Sequence, residues 1–172
     1  MNQQETETFG QPLSLGLYMD YVVSSGDTSS GVILENDSMT VLEGGIAIDT
    51  TVNSRGILYV SSGGQADSTT LNNGGRLHVS SGGAANNTMI TEGGVFHVSA
   101  GGTADGTVIN EGGMLHISSG GTADGTLVCE WGMMNVFLSG VAEAATIESD
   151  GRLYITSGGT ANNTTVESAG YL

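Results

Sequence analysis

From Leu77 the chain reads LHVSSGGAANNTMITEGG, and from Leu115 nearly the same phrase returns as LHISSGGTADGTLVCEWG. In both, apolar and polar residues alternate briefly, stop at a glycine pair, and resume as a short aliphatic piece before the next glycine. Aligning the chain on itself gives a gap-free period of 19 residues, with units beginning at Met19, Ser38, Ile57, Arg76, Val95, Met114, Met133 and Arg152. With the first residue of each unit called position 1, position 8 is Gly in all eight units, and position 19 is Gly in all but the first, which has Asp37.

Two extended pieces fill each unit. In the first, position 2 is mostly Leu, Met or Phe and position 4 is Val or Ile throughout, an alternation that turns one set of side chains inward and the other outward. In the second, position 15 is always aliphatic, with a small residue, mostly Thr, two places earlier. A unit with three or four apolar side chains cannot bury them alone, so the pattern predicts stacking. If each unit is one coil of a parallel β-solenoid, equivalent residues lie about 4.8 Å apart and eight coils make a rod of roughly 38 Å. Each buried aliphatic side chain contributes on the order of 1.5 to 3 kcal/mol, against about 0.5 to 1 kcal/mol lost per glycine in regular structure. The recurring glycines are expected to serve turns with positive φ. Helical repeats need apolar rows at helix period, whereas here every apolar run is short and bracketed by Gly.

The predicted fold is therefore all-β: a right-handed parallel β-helix, or β-solenoid, of strand-loop-strand coils, its hand taken from the crossover preference of parallel strands. Residues 1–18, with FGQPLSLGLYMD, are expected to cap its first edge, and residues 19–172 to form the eight repeats. Tyr171 and Leu172 open a ninth unit, so the chain is expected to be C-terminally truncated.

Charge narrows the function classes. The formal net charge is -15, from 18 acidic side chains against three arginines, Arg55, Arg76 and Arg152, and no lysine. Nucleic acids and anionic membrane surfaces are bound by neutralising phosphates, so both would repel this chain. Gly-, Ser- and Thr-rich composition also suits a disordered linker, but 38% apolar residues at fixed positions favour order. The lone Cys129 makes no internal disulfide. No stretch reaches the length and apolarity of a membrane span, so no direct membrane insertion is expected.

LYVSSGGQADSTTLNNGG, LHVSSGGAANNTMITEGG, FHVSAGGTADGTVINEGG, LHISSGGTADGTLVCEWG and LYITSGGTANNTTVESAG resemble the repeats of autotransporter passenger domains. The resemblance is to the self-associating adhesins of the AIDA type. It covers residues 38–170 well and the unit from Met19 weakly. It implies export as part of a larger precursor with a C-terminal outer-membrane β-barrel, a place at the bacterial cell surface or in the secreted fraction, and roles in cell adhesion and self-association. Partners so implied are the host surface, other passenger molecules, and a cytoplasmic heptosyltransferase that adds O-linked heptose. The unit from Met133 replaces S-S-G-G with Phe137, Leu138, Ser139 and Gly140, which speaks against modification there.

Within that resemblance, the acceptor hydroxyls are expected at position 5, which alternation points outward: Ser61, Ser80, Ser99, Ser118 and Thr156. Second choices are position 6 (Ser62, Ser81, Ser119, Ser157) and position 9 (Thr103, Thr122, Thr160). The bland alternative is that these hydroxyls cap turns and form ladders between coils.

His78, His97 and His116 share position 3 with Tyr59 and Tyr154 and are expected to stack as flat rings; no metal site is assigned, since no carboxylate or Cys joins them. Glu92, Glu111 and Glu130 form a column at position 17 beside Asn73, read as solvated turn carboxylates because the G-G-x-G-x-D phrase of calcium solenoids is absent. Asn and Asp at positions 11 and 12 are assigned to the loop between the two strands. Cys129, Trp131 and MMNVFLSG break the ladder as an apolar patch that lacks a nucleophile, base and orienter. No catalytic residue and no cofactor is assigned. The sequence predicts a non-enzymatic adhesive rod modified by a heptosyltransferase; the competing reading is an unmodified carbohydrate-binding or tail-fibre solenoid.

Overall fold

The computed structural model describes residues 18–172 apart from Ser62, Ser81 and Ser157, so the expected cap lies outside the described residues except for Tyr18. Twenty-four short strands form three parallel sheets of eight. Sheet A runs from Asp20–Val23 to Arg152–Ile155, sheet B from Thr28–Ser30 to Thr160–Asn162, and sheet C from Ile33–Leu34 to Thr165–Val166. Each coil contributes one strand to each sheet, and each strand pairs with its equivalents in the coils before and after. The chain is a β-solenoid of eight coils, as its period predicts.

Register places like over like. Leu77 pairs with Leu58 and Phe96, and Val79 with Val60 and Val98. Positions 2, 4 and 15 line the interior: Leu58, Val60, Leu71, Phe96, Ile109 and Ile147 are all fully buried. A third strand, at positions 9 to 11, fills the segment expected to be loop. Its central residue is a buried alanine, such as Ala66, Ala85 or Ala104. Alanine adds little to an apolar pattern, yet only a small side chain fits where sheet B faces the larger residues of sheets A and C. The corner into sheet C is a single left-handed residue at position 12, for example Ser68 at φ 56° and Asn87 at φ 52°.

The first coil departs from the gap-free alignment. Asp20 pairs with Ser38, Thr28 with Ile46 and Ile33 with Thr51, so this coil begins one residue later and is one residue short. Val23 and Leu34 are its buried residues, whereas Val22 and Ile33 face solvent. The missing residue lies in the turn Glu35–Asp37, where a short loop costs the stacked strands nothing.

The glycines have two distinct causes, and only one is the expected positive φ. At position 7 Gly82 has φ 79° and open space where a Cβ would stand. At position 8 Gly83 has no such φ, but a Cβ there would lie 2.7 Å from the carbonyl oxygen of Val60 in the coil below. The near-invariant glycines at positions 8 and 19 are therefore close-approach glycines. In the first coil Asp27 and Asp37 occupy these places, and among the described residues no coil lies beneath them to be struck.

Candidate functional site

The hydroxyl rows meet at the corner between sheets A and B. Sheet A ends at position 4, and a tight turn at positions 5 to 8 follows. In it the position-8 N–H donates to the position-5 carbonyl: Gly64 to Ser61 at 2.9 Å, Gly83 to Ser80 at 2.9 Å, Gly102 to Ser99 at 2.9 Å and Gly121 to Ser118 at 2.8 Å. In the fifth and sixth coils both central residues have positive φ, with Ala100 at 48° and Gly101 at 77°, and Ser119 at 50° and Gly120 at 78°. Positive φ at both is the signature of the mirror-image hairpin turn, which favours small residues. This geometry puts position 6 at the outer tip. Ser119 is accordingly exposed, and its N–H donates to the Leu138 carbonyl of the next coil at 2.7 Å.

Ser61, Ser80, Ser99 and Ser118 lie half-buried at the base of the turn, and Thr156, in the last coil, is exposed. Ser62, Ser81 and Ser157 lie outside the described residues. Thr103 and Thr160 are exposed and Thr122 is half-buried, each opening a strand of sheet B on the far side of the same corner. Positions 5, 6 and 9 thus border one edge of the rod, repeating once per coil. Leu42 and Glu43 interrupt that edge in the second coil, and Phe137 and Leu138 in the seventh. Ser24 and Ser25 belong to it too, as positions 5 and 6 of the first coil, Ser24 half-buried and Ser25 exposed. Sequence reasoning missed them because a gap-free period shifts them by one place; the irregular loop at Glu35–Asp37 was the available signal.

On the outward face of sheet A the rings stack in one column. Tyr59 and His78 centroids are 5.3 Å apart, His78 and His97 4.8 Å, and His97 and His116 5.0 Å, all near-parallel. Phe137 then meets His116 edge-on at 6.3 Å. Partial burial lowers the pKa of all three imidazoles. His97 falls to about 4, through burial first and then the neighbouring His78, His116 and Arg76. His78 is lowered by burial and then Arg76, and His116 by burial. The rings lie parallel instead of converging on a point, and among the described residues no group of three His, Cys, Asp or Glu is placed to hold a metal ion.

The other departures from the ladder have ordinary roles. Trp131 donates its indole N–H to Glu130 at 2.8 Å and carries the Arg152 guanidinium 5.4 Å from its ring centroid. Asp67 accepts from Asn86 at 2.6 Å and from Gln65. Burial and then Glu148 push the Cys129 thiol up to about 11, so it carries no thiolate near neutrality.

A family model described as "Adhesin of bacterial autotransporter system, probable stalk" matches residues 20–75 and 78–132. Among solved structures, the TibC-catalysed hyper-glycosylated TibA55-350 fragment is 32% identical and superposes with a TM-score of 0.72 over 90% of this chain. The chain spans 65% of that fragment. No curated protein is significantly similar to the chain.

Proposed function

The chain belongs to the stalk family of bacterial autotransporter adhesins, and from that premise we propose that it is a non-enzymatic passenger rod whose corner between sheets A and B is the acceptor of a protein O-heptosyltransferase. One observation carries this reading: hydroxyls at positions 5 and 9, with Ser119 at position 6, recur along a single edge, at turns closed by the same hydrogen bond from position 8 to position 5. A transferase acting on many sites needs acceptors that are reachable, flanked by small residues and geometrically alike. Glycine at positions 7 and 8 supplies the small flank, and register supplies the likeness. The hyper-glycosylated state of the TibA fragment supports glycosylation of a rod of this fold.

In this reading the acceptors of first rank are Ser61, Ser80, Ser99, Ser118 and Thr156. Ser62, Ser81, Ser119 and Ser157, then Thr103, Thr122 and Thr160, are the second. Modification precedes export and takes place in the cytoplasm, after which the rod acts at the cell surface or in the secreted fraction. There it serves adhesion and association with other passenger molecules. Intact-mass measurement after co-expression with a heptosyltransferase tests the reading. Several increments of one sugar mass are expected, falling when the hydroxyls of positions 5 and 6 are replaced by alanine. An unchanged mass favours an unmodified carbohydrate-binding rod.

A further inference from the structure

Charge is segregated by face. Arg76 and Arg152 point outward from sheet A, and Arg55 sits in the turn that enters its third strand; these are all the basic side chains of the chain. The three histidines share that face, and the only carboxylate in its strands is Asp20, in the first. Sheet B is the reverse. Its strands carry Asp67, Asp105, Asp124 and Glu143 with no basic residue, and its other outward side chains are mostly short. The strands of sheet C are uncharged.

Resting on the self-association reading above, we propose that sheet A of one copy docks on sheet B of a second copy, with the two rods parallel and offset by one coil. The spacing of the charges selects this arrangement. Arg76 lies in the fourth coil and Arg152 in the eighth, while Asp67 lies in the third and Glu143 in the seventh. Each pair is separated by four steps of about 4.8 Å, or roughly 19 Å. A shift of one coil therefore sets Arg76 over Asp67 and Arg152 over Glu143 at once. Without the shift, Arg76 meets Asn86 and Arg152 meets Asn162. Shape agrees with charge: sheet A presents long side chains, among them Tyr59, Met114, Met133 and Arg152, and sheet B offers a low shelf of Ala84, Thr103 and Thr122 to receive them.

Size sets the strength. Four residues at about 3.3 Å by the seven strands that still overlap, at about 4.8 Å each, give on the order of 440 Å² per copy, at the weak end of protein interfaces. Because the two faces differ, the contact is heterologous and leaves one free A face and one free B face. Further copies add without closing a ring. The association is therefore weak, salt-sensitive and open-ended.

Reversing charge on one face at a time tests the pairing on the unmodified chain, by sedimentation over a concentration series at low and high salt. Arg76→Glu with Arg152→Glu, and separately Asp67→Arg with Glu143→Arg, are each expected to weaken association roughly ten-fold or more through like-charge contact. An equimolar mixture of the two variants restores it, since each supplies the face the other needs. Glu35→Arg with Glu167→Arg shifts net charge as far as the sheet B reversal does, but off both faces, and leaves association intact. The neutral pair Arg76→Gln with Arg152→Gln weakens association less than reversal and covers a reversal that disturbs folding, which circular dichroism reports. If neither reversal weakens association, if only one does, or if the mixture stays dissociated, the face pairing is wrong although self-association stands. A wild-type chain that stays monomeric throughout overturns the self-association reading and the pairing with it.

Discussion

Gly101 and Gly102 are neighbours in one turn, and a methyl group added to each has opposite surroundings. At Gly101, φ 77°, a Cβ meets nothing within 4 Å; at Gly102 it lies 2.7 Å from the Val79 carbonyl oxygen, 2.8 Å from the Val79 carbonyl carbon and 3.0 Å from Val79 Cγ1. Alanine at Gly101 costs about 1 to 2 kcal/mol for the left-handed backbone, offset by about 0.4 to 1 kcal/mol from a stiffer unfolded chain. Ala100 and Ser139 already hold positive φ in such turns. Alanine at Gly102 is overpacking against backbone, costing about 1 to 3 kcal/mol. Relief requires moving a carbonyl that accepts from Ser99 at 3.0 Å, which forfeits about 1 kcal/mol more. At about 2 to 4 °C per kcal/mol for a chain of this size, Gly102→Ala is expected to lower the thermal midpoint by roughly 10 °C and Gly101→Ala by at most a few degrees. Far-UV circular dichroism melts of the two variants decide it. If Gly101→Ala is as damaging as Gly102→Ala, close approach is not the reason for the glycine at position 8.

Three further outcomes are expected. Thr50, Thr69, Thr88, Thr107 and Thr126 are buried, and their hydroxyls have no hydrogen-bonding partner within the protein, while Ala145 takes the equivalent place in the seventh coil. Thr107→Val, isosteric and apolar, should therefore raise stability by about 1 kcal/mol in urea unfolding; a loss instead means that the hydroxyl is satisfied. His97, ordinarily near 6.5, is lowered to about 4 in the fold, so the unfolded chain binds more protons between those values. Its contribution is whole above about 6.5 and is lost as pH falls toward 4, so His97→Asn, the residue Asn135 already provides in this column, should flatten the acid side of the melting profile relative to wild type. An unaltered profile contradicts the assignment. Phe137→Ser with Leu138→Ser rebuilds the acceptor turn in the seventh coil and should add one or two sugar increments to the intact mass; an unchanged count separates turn geometry from acceptor choice.

The period, the stacked coils and the core at positions 2, 4 and 15 were legible because large aliphatic side chains recur there with glycine between them. Sheet B was not, since its interior is lined by alanine and its outward residues are short and polar, so its alternation carries little hydrophobic contrast. The one-residue deficit in the first coil was hidden by Val22 and Ile33, apolar neighbours of the buried Val23 and Leu34, which satisfy the pattern in the wrong register. The cause of the position-8 glycine was also illegible: positive φ and a carbonyl from the neighbouring coil leave the same letter. At the candidate site, sequence alternation found the edge where the hydroxyls gather. Which hydroxyl stands at the tip depends on two left-handed residues in succession, and that only the folded turn displays.

Fragmentation mass spectrometry that assigns each sugar to its residue, after co-expression with a heptosyltransferase, tests the central claim most directly. The account predicts sugars on hydroxyls of the corner between sheets A and B, recurring along the coils but skipping the second, with Leu42 and Glu43, and the seventh, with Phe137 and Leu138. Sugars concentrated instead on hydroxyls of sheet C, such as Thr51, Thr70 and Thr146, or none on any coil, would contradict it.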